Sequence, residues 1–216
     1  MGADYIVTPG TVLGGYLQAD HITLKRGDGN ASGTGWLVGP YFTVRLAEGL
    51  YFDTIAGVGQ STNSADPLGI GGSAFATNRW MLGASLQGQW QEGNWTHSPR
   101  LQVSYFEETS LAYVDKLGVA IPSIVGGAGQ ISAGHGISYG HPLENGLLET
   151  GLRLDSVAEF FGPPSYGFHN VHARMEVRTS LAGEGGGRFG VSLTHAGLGR
   201  ANHTTGLRLQ LGAALQ

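Results

Sequence analysis

The stretch GISYG, Gly136 to Gly140, has the G-x-S-x-G spacing of a serine nucleophile. That chemistry needs a strand–turn–helix elbow that exposes the hydroxyl. Here Ser138 sits inside an alternating pattern with no helical segment behind it, so a strand serine is expected. HNVH places His169 and His172 three residues apart, and His135 and His141 share a strand face. Neither pair has a carboxylate or a third ligand at a metal-binding spacing, so no metal is expected. GVGQST, residues 57–62, has the glycines of a phosphate loop but neither its lysine nor a following helix. Its glycines are expected to allow close packing. Glu149, Arg153, Arg174, Glu176 and Arg178 could serve as acids and bases. They alternate along neighbouring segments, which points instead to a ladder of charges on one wall. No catalytic residue and no cofactor are expected.

The elements that place these residues must be strands. The chain has 216 residues, 38 of them Gly, with 13% charged residues and a net charge of −4. It has no Cys, which excludes disulfides, thiolate metal sites and cysteine nucleophiles together. The balance of charge gives no nucleic-acid signal. No apolar run approaches eighteen residues, so no transmembrane helix is expected. MGADYIVTPG lacks the basic start and apolar stretch of a leader, which by itself would suggest a cytoplasmic protein.

Period-two alternation recurs along the whole chain. It predicts eleven antiparallel strands, roughly 2–7, 11–24, 33–46, 50–63, 74–91, 94–108, 127–142, 146–160, 171–182, 188–199 and 203–215. Short connections (8–10, 47–49, 92–93, 143–145) mostly alternate with long ones (25–32, 64–73, 109–126, 161–170). An up-and-down meander does this when its two ends face different surroundings.

The charges sort by face. Arg174, Glu176 and Arg178 alternate with Met175, Val177 and Thr179; Glu149, Arg153 and Asp155 oppose Leu148, Leu152 and Leu154. Only Glu107, at a strand end, is expected on the apolar face. That face also takes His21, His97, His135, His141 and His195, of which His135 and His195 need polar partners in hydrocarbon. Pro40 and Pro99 fall within strands and predict bulges or missing ladder bonds.

Aromatic spacing sets the environment. In RWMLGASLQGQW the apolar face runs Trp80, Leu82, Ala84, Leu86, Gly88, Trp90, and the next segment repeats a ten-residue interval from Trp95 to Tyr105. Ten residues rise about 33 Å along a strand. A tilt of roughly 40° brings that to about 25 Å, the height of the apolar band of an outer-membrane barrel with aromatic girdles. The spacing therefore predicts an all-β, antiparallel, up-and-down transmembrane β-barrel in the outer membrane. Trp36, Trp80, Trp90, Trp95 and Tyr105 are its expected membrane-interface aromatics. Arg45, Arg79, Arg100, Glu149, Arg153, Asp155, Arg174, Glu176, Arg178 and Arg208 are its expected lumen-lining residues. A soluble β-sandwich with the apolar face as its core is the alternative, and a soluble β-sheet binding protein its function. Near-absence of Lys, with only Lys25 and Lys116, argues against that surface.

Bacterial single-chain barrels have even strand numbers. Eleven strands ending on the short-turn side imply one more strand before residue 1. Residues 1–216 are thus expected to form a single barrel domain lacking its first strand.

SGTGWLVGPYFTVRL followed by LYFD, then GQWQEGNWTHSPRLQVSYFEE and YVDKLGVAIPS, resemble the C-terminal translocator domain of autotransporters, the type V secretion family. The opening GADYIVTPGTVLGG and the late THAGLG and GLRLQL extend the resemblance over essentially the whole chain. It implies a twelve-stranded barrel with a helix in its lumen, joined to an N-terminal passenger that the barrel anchors and exports to the cell surface. The implied partners are outer-membrane lipid, the barrel-assembly machinery and the passenger of the same polypeptide, with no nucleic acid. The first strand, the lumen helix and the passenger have no counterpart within 1–216. A standalone porin-like barrel is the runner-up.

Overall fold

The computed structural model describes residues 2–27, 29–66, 72–162, 167–183, 186–198 and 203–212. The strands are β1 (Gly2–Thr8), β2 (Thr11–Arg26), β3 (Gly29–Ala47), β4 (Leu50–Asp66), β5 (Ser73–Gly88), β6 (Trp90–Glu92) and β7 (Trp95–Ser110). They continue with β8 (Tyr113–Val114), β9 (Ala120–Ile121), β10 (Ile124–Leu143), β11 (Gly146–Phe161), β12 (Gly167–Gly183), β13 (Arg188–Leu198) and β14 (Thr204–Gly212). No described residue is helical.

All long strands join one sheet in chain order, each antiparallel to the next, with β6 continuing β5 along β7. The expected eleven-strand meander is what the chain forms. The sheet is open: β1 and β14 are its two edges. Tight two-residue links close the 9–10, 48–49, 93–94 and 144–145 ends. Gly49 and Gly93 adopt φ of 70° and 59° there, a left-handed backbone that costs glycine little.

The structure corrects three expectations. The connection expected at 25–32 is mostly strand, because pairing continues through Lys25↔Asn30 and Arg26↔Gly29. The alternation simply runs on past the apolar band, so Lys25 joins Glu107 on the apolar side. The connection expected at 109–126 shrinks to 111–123, and within it β8 and β9 pair as a small hairpin. Asp115 Oδ1 organises that hairpin by accepting the Leu117 and Val119 amides at 2.9 and 2.8 Å. Tyr113 stacks on Phe75, ring centroids 5.0 Å apart. Finally, the expected strand 74–91 is interrupted at Gln89. Gln87↔Arg100 and Trp90↔His97 keep one register across the gap. Pro99 lies opposite Gly88 there and has no N–H to offer the ladder. Pro40 acts in the same way: Val38↔Val58 and Tyr41↔Ile55 share a register, with the pairs between them missing. Both prolines interrupt bonds without adding a bulge. The expected connections at 64–73, 161–170, 183–187 and 200–202 and the end of the last strand fall partly or wholly outside the described residues.

Candidate functional site

Burial in this sheet is inverted with respect to a soluble protein. On β5, Arg79 is 8% exposed while its neighbour Trp80 is 40% exposed. The same alternation runs through β3 and β4, where Gly35, Leu37, Gly59 and Ser61 are buried and Trp36, Val38, Val58 and Gln60 are exposed. Among the described residues only Leu37 and Val157 are buried hydrophobics, whereas Ser61, Thr77, Arg79, Ser132, Ser138 and Asp155 are buried polar groups. A soluble sandwich would bury the other face.

The polar face is built by side chains that reach over intervening strands. Arg79 on β5 crosses β4 and β3 to Asp20 on β2, with Nη2–Oδ2 at 2.7 Å and Nη1–Oδ1 at 3.2 Å. Its Nε also donates to the Trp36 carbonyl at 3.2 Å. This fork-to-fork pairing is the strong geometry for a guanidinium and a carboxylate. Glycine makes it possible, because a Cβ at Gly35 would overlap the guanidinium. Nearby, Glu108 accepts from Ser61 Oγ at 2.9 Å and from Thr77 Oγ1. Asp53 accepts from Thr43, Ser85 and Gln87 at 2.7, 3.1 and 2.9 Å.

On the other wall three guanidiniums share one carboxylate. Asp155, 4% exposed, accepts from Arg174 Nε and Nη2 at 3.1 and 3.0 Å. Arg100 Nη2 lies 3.6 Å from Oδ2 and Arg153 Nη1 3.7 Å from Oδ1. Arg153 also reaches over β10 to the Ser98 carbonyl and hydroxyl at 3.0 and 3.1 Å. Gly134 leaves room for the Asp155 carboxylate, since a Cβ there would overlap it. Arg178 pairs with Glu149 at 2.9 Å in a more open position. Glu176 lies on the same face as Arg174 and Arg178. Arg208 on β14 stands opposite Ser192, and Arg45 is exposed beside the 9–10 turn, where its amide donates to the Gly10 carbonyl.

Aromatics on the apolar face form two groups. At the level nearer the long connections, Trp80 contacts Tyr105 and Tyr105 stacks on Phe160, with centroids 5.1 and 6.0 Å apart. Trp36 belongs to the same exposed face on β3. At the other end Trp95 meets Tyr139 edge-on at 4.9 Å, beside Trp90 on β6. Glu107, the one expected exception, accepts from Trp80 Nε1 at 3.1 Å and Tyr105 Oη at 2.9 Å. Its charge is thus held by the polar tips of the aromatic group. Four of the histidines on this face have neighbours of their own. His195 bonds Thr205 at 2.9 Å, His21 bonds Thr34 at 2.8 Å, and the His135 ring lies tilted against that of His97, centroids 5.5 Å apart.

Ser138 lies in mid-strand, opposite Thr96 on one side and Gly151 on the other, with none of the elbow geometry of a nucleophile. Among the described residues no three His, Asp or Glu side chains converge as metal ligands. Sequence reasoning omitted Asp20, Asp53 and Glu108 from the polar wall. Strand parity could have placed all three on the face of Arg79, but their partners depend on register. Phe160 and Tyr139 were likewise missing from the aromatic groups.

A single antiparallel meander with a buried polar face and an exposed, aromatic-banded apolar face defines the class of outer-membrane β-barrel proteins. The chain belongs to the autotransporter beta-domain family, which it matches over residues 1–212. It is similar in structure to the crystal structure of the beta domain of the Bordetella autotransporter BrkA. That match has a TM-score of 0.71 at 18% identity and covers 97% of this chain and 85% of that one. No curated protein sequence matches the chain. As an autotransporter β-domain it is the outer-membrane translocator through which the linked passenger is anchored and exported. The family is one of secretion domains, not of enzymes.

Proposed function

We propose that the polar face lines the lumen of the translocator and that the apolar face meets lipid. Arg45, Arg79, Arg100, Glu149, Arg153, Asp155, Arg174, Glu176, Arg178 and Arg208 then form a hydrated channel wall that holds the segment leading to the passenger. Trp36, Trp80, Trp90, Trp95 and Tyr105 sit at the two membrane interfaces, where amphipathic rings are favoured. Residues 1–216 act as one barrel domain. Its open edges at β1 and β14 each present an unpaired row of backbone groups, which cannot persist in hydrocarbon. One further strand between them, supplied from outside this stretch, closes the barrel at the even number. Outer-membrane lipid and the barrel-assembly machinery are its partners, and the domain does no catalysis of its own.

The observation that carries this reading is the inverted burial: guanidiniums and hydroxyls inside, Val58 and Leu82 at 62% and 52% exposure outside. Adjacent substitutions on β5 test it. Leu86→Arg puts a cation into the apolar band at a cost of ~2–4 kcal/mol near the midplane. Ser85→Arg points to the side of Asp53, which already accepts the Ser85 hydroxyl. The expected outcome is loss of folded protein in the outer membrane for Leu86→Arg and near-normal yield for Ser85→Arg, read by heat-modifiable gel mobility. Equal yields contradict the face assignment.

A further inference from the structure

From β11 to β14 the polar face carries Arg153, Arg174, Arg178, Arg188 and Arg208 with Glu149, Asp155, Glu159 and Glu176. Its end nearer the short turns contains a cavity of about 280 Å³. Arg178, Arg188 and Arg208 line it, with Glu149 as its one acidic side chain and Ser180, Ser192 and Gln210 as neutral donors. Register brings two of the arginines together. Arg178 lies opposite Ser192, and Ser192 opposite Arg208, so three neighbouring strands point their side chains at one spot. Glu149 engages Arg178 at 2.9 Å, which leaves the cavity with a net positive charge and two further guanidiniums.

We propose that this cavity is an anion-binding site whose ligand is a carboxylate or phosphate group. Guanidiniums match the oxygens of such groups by paired hydrogen bonds, which a lysine wall would not do. The anion comes either from an acidic side chain of the polypeptide in the lumen or from a small periplasmic solute. The proposal rests on the lumen assignment above.

Residues 1–216 contain no Cys, so a cysteine introduced among them is the domain's single thiol and gives a direct test, with any cysteine elsewhere in the full-length protein replaced by Ser. Ser192→Cys places a thiol in the cavity, and Leu209→Cys places one on the opposite face of β14. Each is reacted with methanethiosulfonate reagents carrying a sulfonate or a quaternary ammonium, in native outer membranes. At position 192 the sulfonate is expected to react about tenfold faster than the cation, relative to free thiol, from the local potential. Arg208→Glu is expected to bring that ratio close to one. Labelling at 192 without charge preference, or a ratio that ignores Arg208→Glu, overturns the anion site and leaves the lumen assignment standing. Labelling of 209 but not of 192 overturns both. With the preference in place, slowing of the sulfonate by inorganic phosphate assigns a free anion. Loss of surface-exposed passenger in Arg178→Glu or Arg208→Glu, without any phosphate effect, assigns an acidic side chain of the polypeptide.

Discussion

Arg79 and Trp80 are adjacent on one strand and live in opposite environments. The arginine is nearly enclosed, doubly bonded to Asp20 and bonded to the Trp36 carbonyl. The tryptophan is open on its apolar side and spends its one N–H on Glu107. In a soluble sheet their positions would be exchanged. In an outer-membrane barrel the hydrophobic effect works between protein and lipid, so apolar side chains need no protein core. The interior is instead held by charge and hydrogen bonds, where each loss leaves a partner stranded.

That difference ranks the effects of substitution. The largest is expected on the inner face. Asp155→Leu removes the buried carboxylate shared by Arg100, Arg153 and Arg174, and leaving these half-buried guanidiniums without it costs about 3 kcal/mol. Denaturant unfolding of the domain in lipid vesicles should show a midpoint lower than for any outer-face variant of similar size. Arg79→Met comes next, since Asp20, though half-open, loses both its bonds; a loss of about 2 kcal/mol is expected by the same measurement. A smaller effect belongs to the outer belt. Glu107→Gln keeps a hydrogen-bond acceptor for Trp80 and Tyr105 and should change stability by less than about 1 kcal/mol. Glu107→Leu should cost more than Glu107→Gln, because it strands an indole N–H and a phenol. The reverse order would mean that the carboxylate is not held as described.

Much of this was legible in the chain. Alternation at period two gave the strands and their faces, and the intervals from Trp80 to Trp90 and from Trp95 to Tyr105 gave the environment. Period two is insensitive to which strand lies next, so local pattern suffices for both. The pairing of Arg79 with Asp20 was not legible, because it spans 59 residues and depends on the registers of β2 to β5 together. Gly35 was a latent clue, a gap on the face that a long side chain could cross. The Asp155 hub was half legible: its charges were assigned to one wall, but their convergence on a single carboxylate needs the β7–β10–β11–β12 registers. The strand extension through Lys25 and Asn30 was missed because polar turn-forming residues there pair beyond the apolar band.

The most direct measurement uses native fluorescence. The chain has four Trp, and Trp36, Trp80, Trp90 and Trp95 are all among the exposed hydrophobics. The domain folded in vesicles of brominated phosphatidylcholine should lose most of its emission, more strongly with bromines near the headgroups than at the bilayer centre, while aqueous iodide quenches weakly. Strong quenching by iodide with no effect of brominated lipid would put the tryptophans in water and contradict an outward-facing apolar surface.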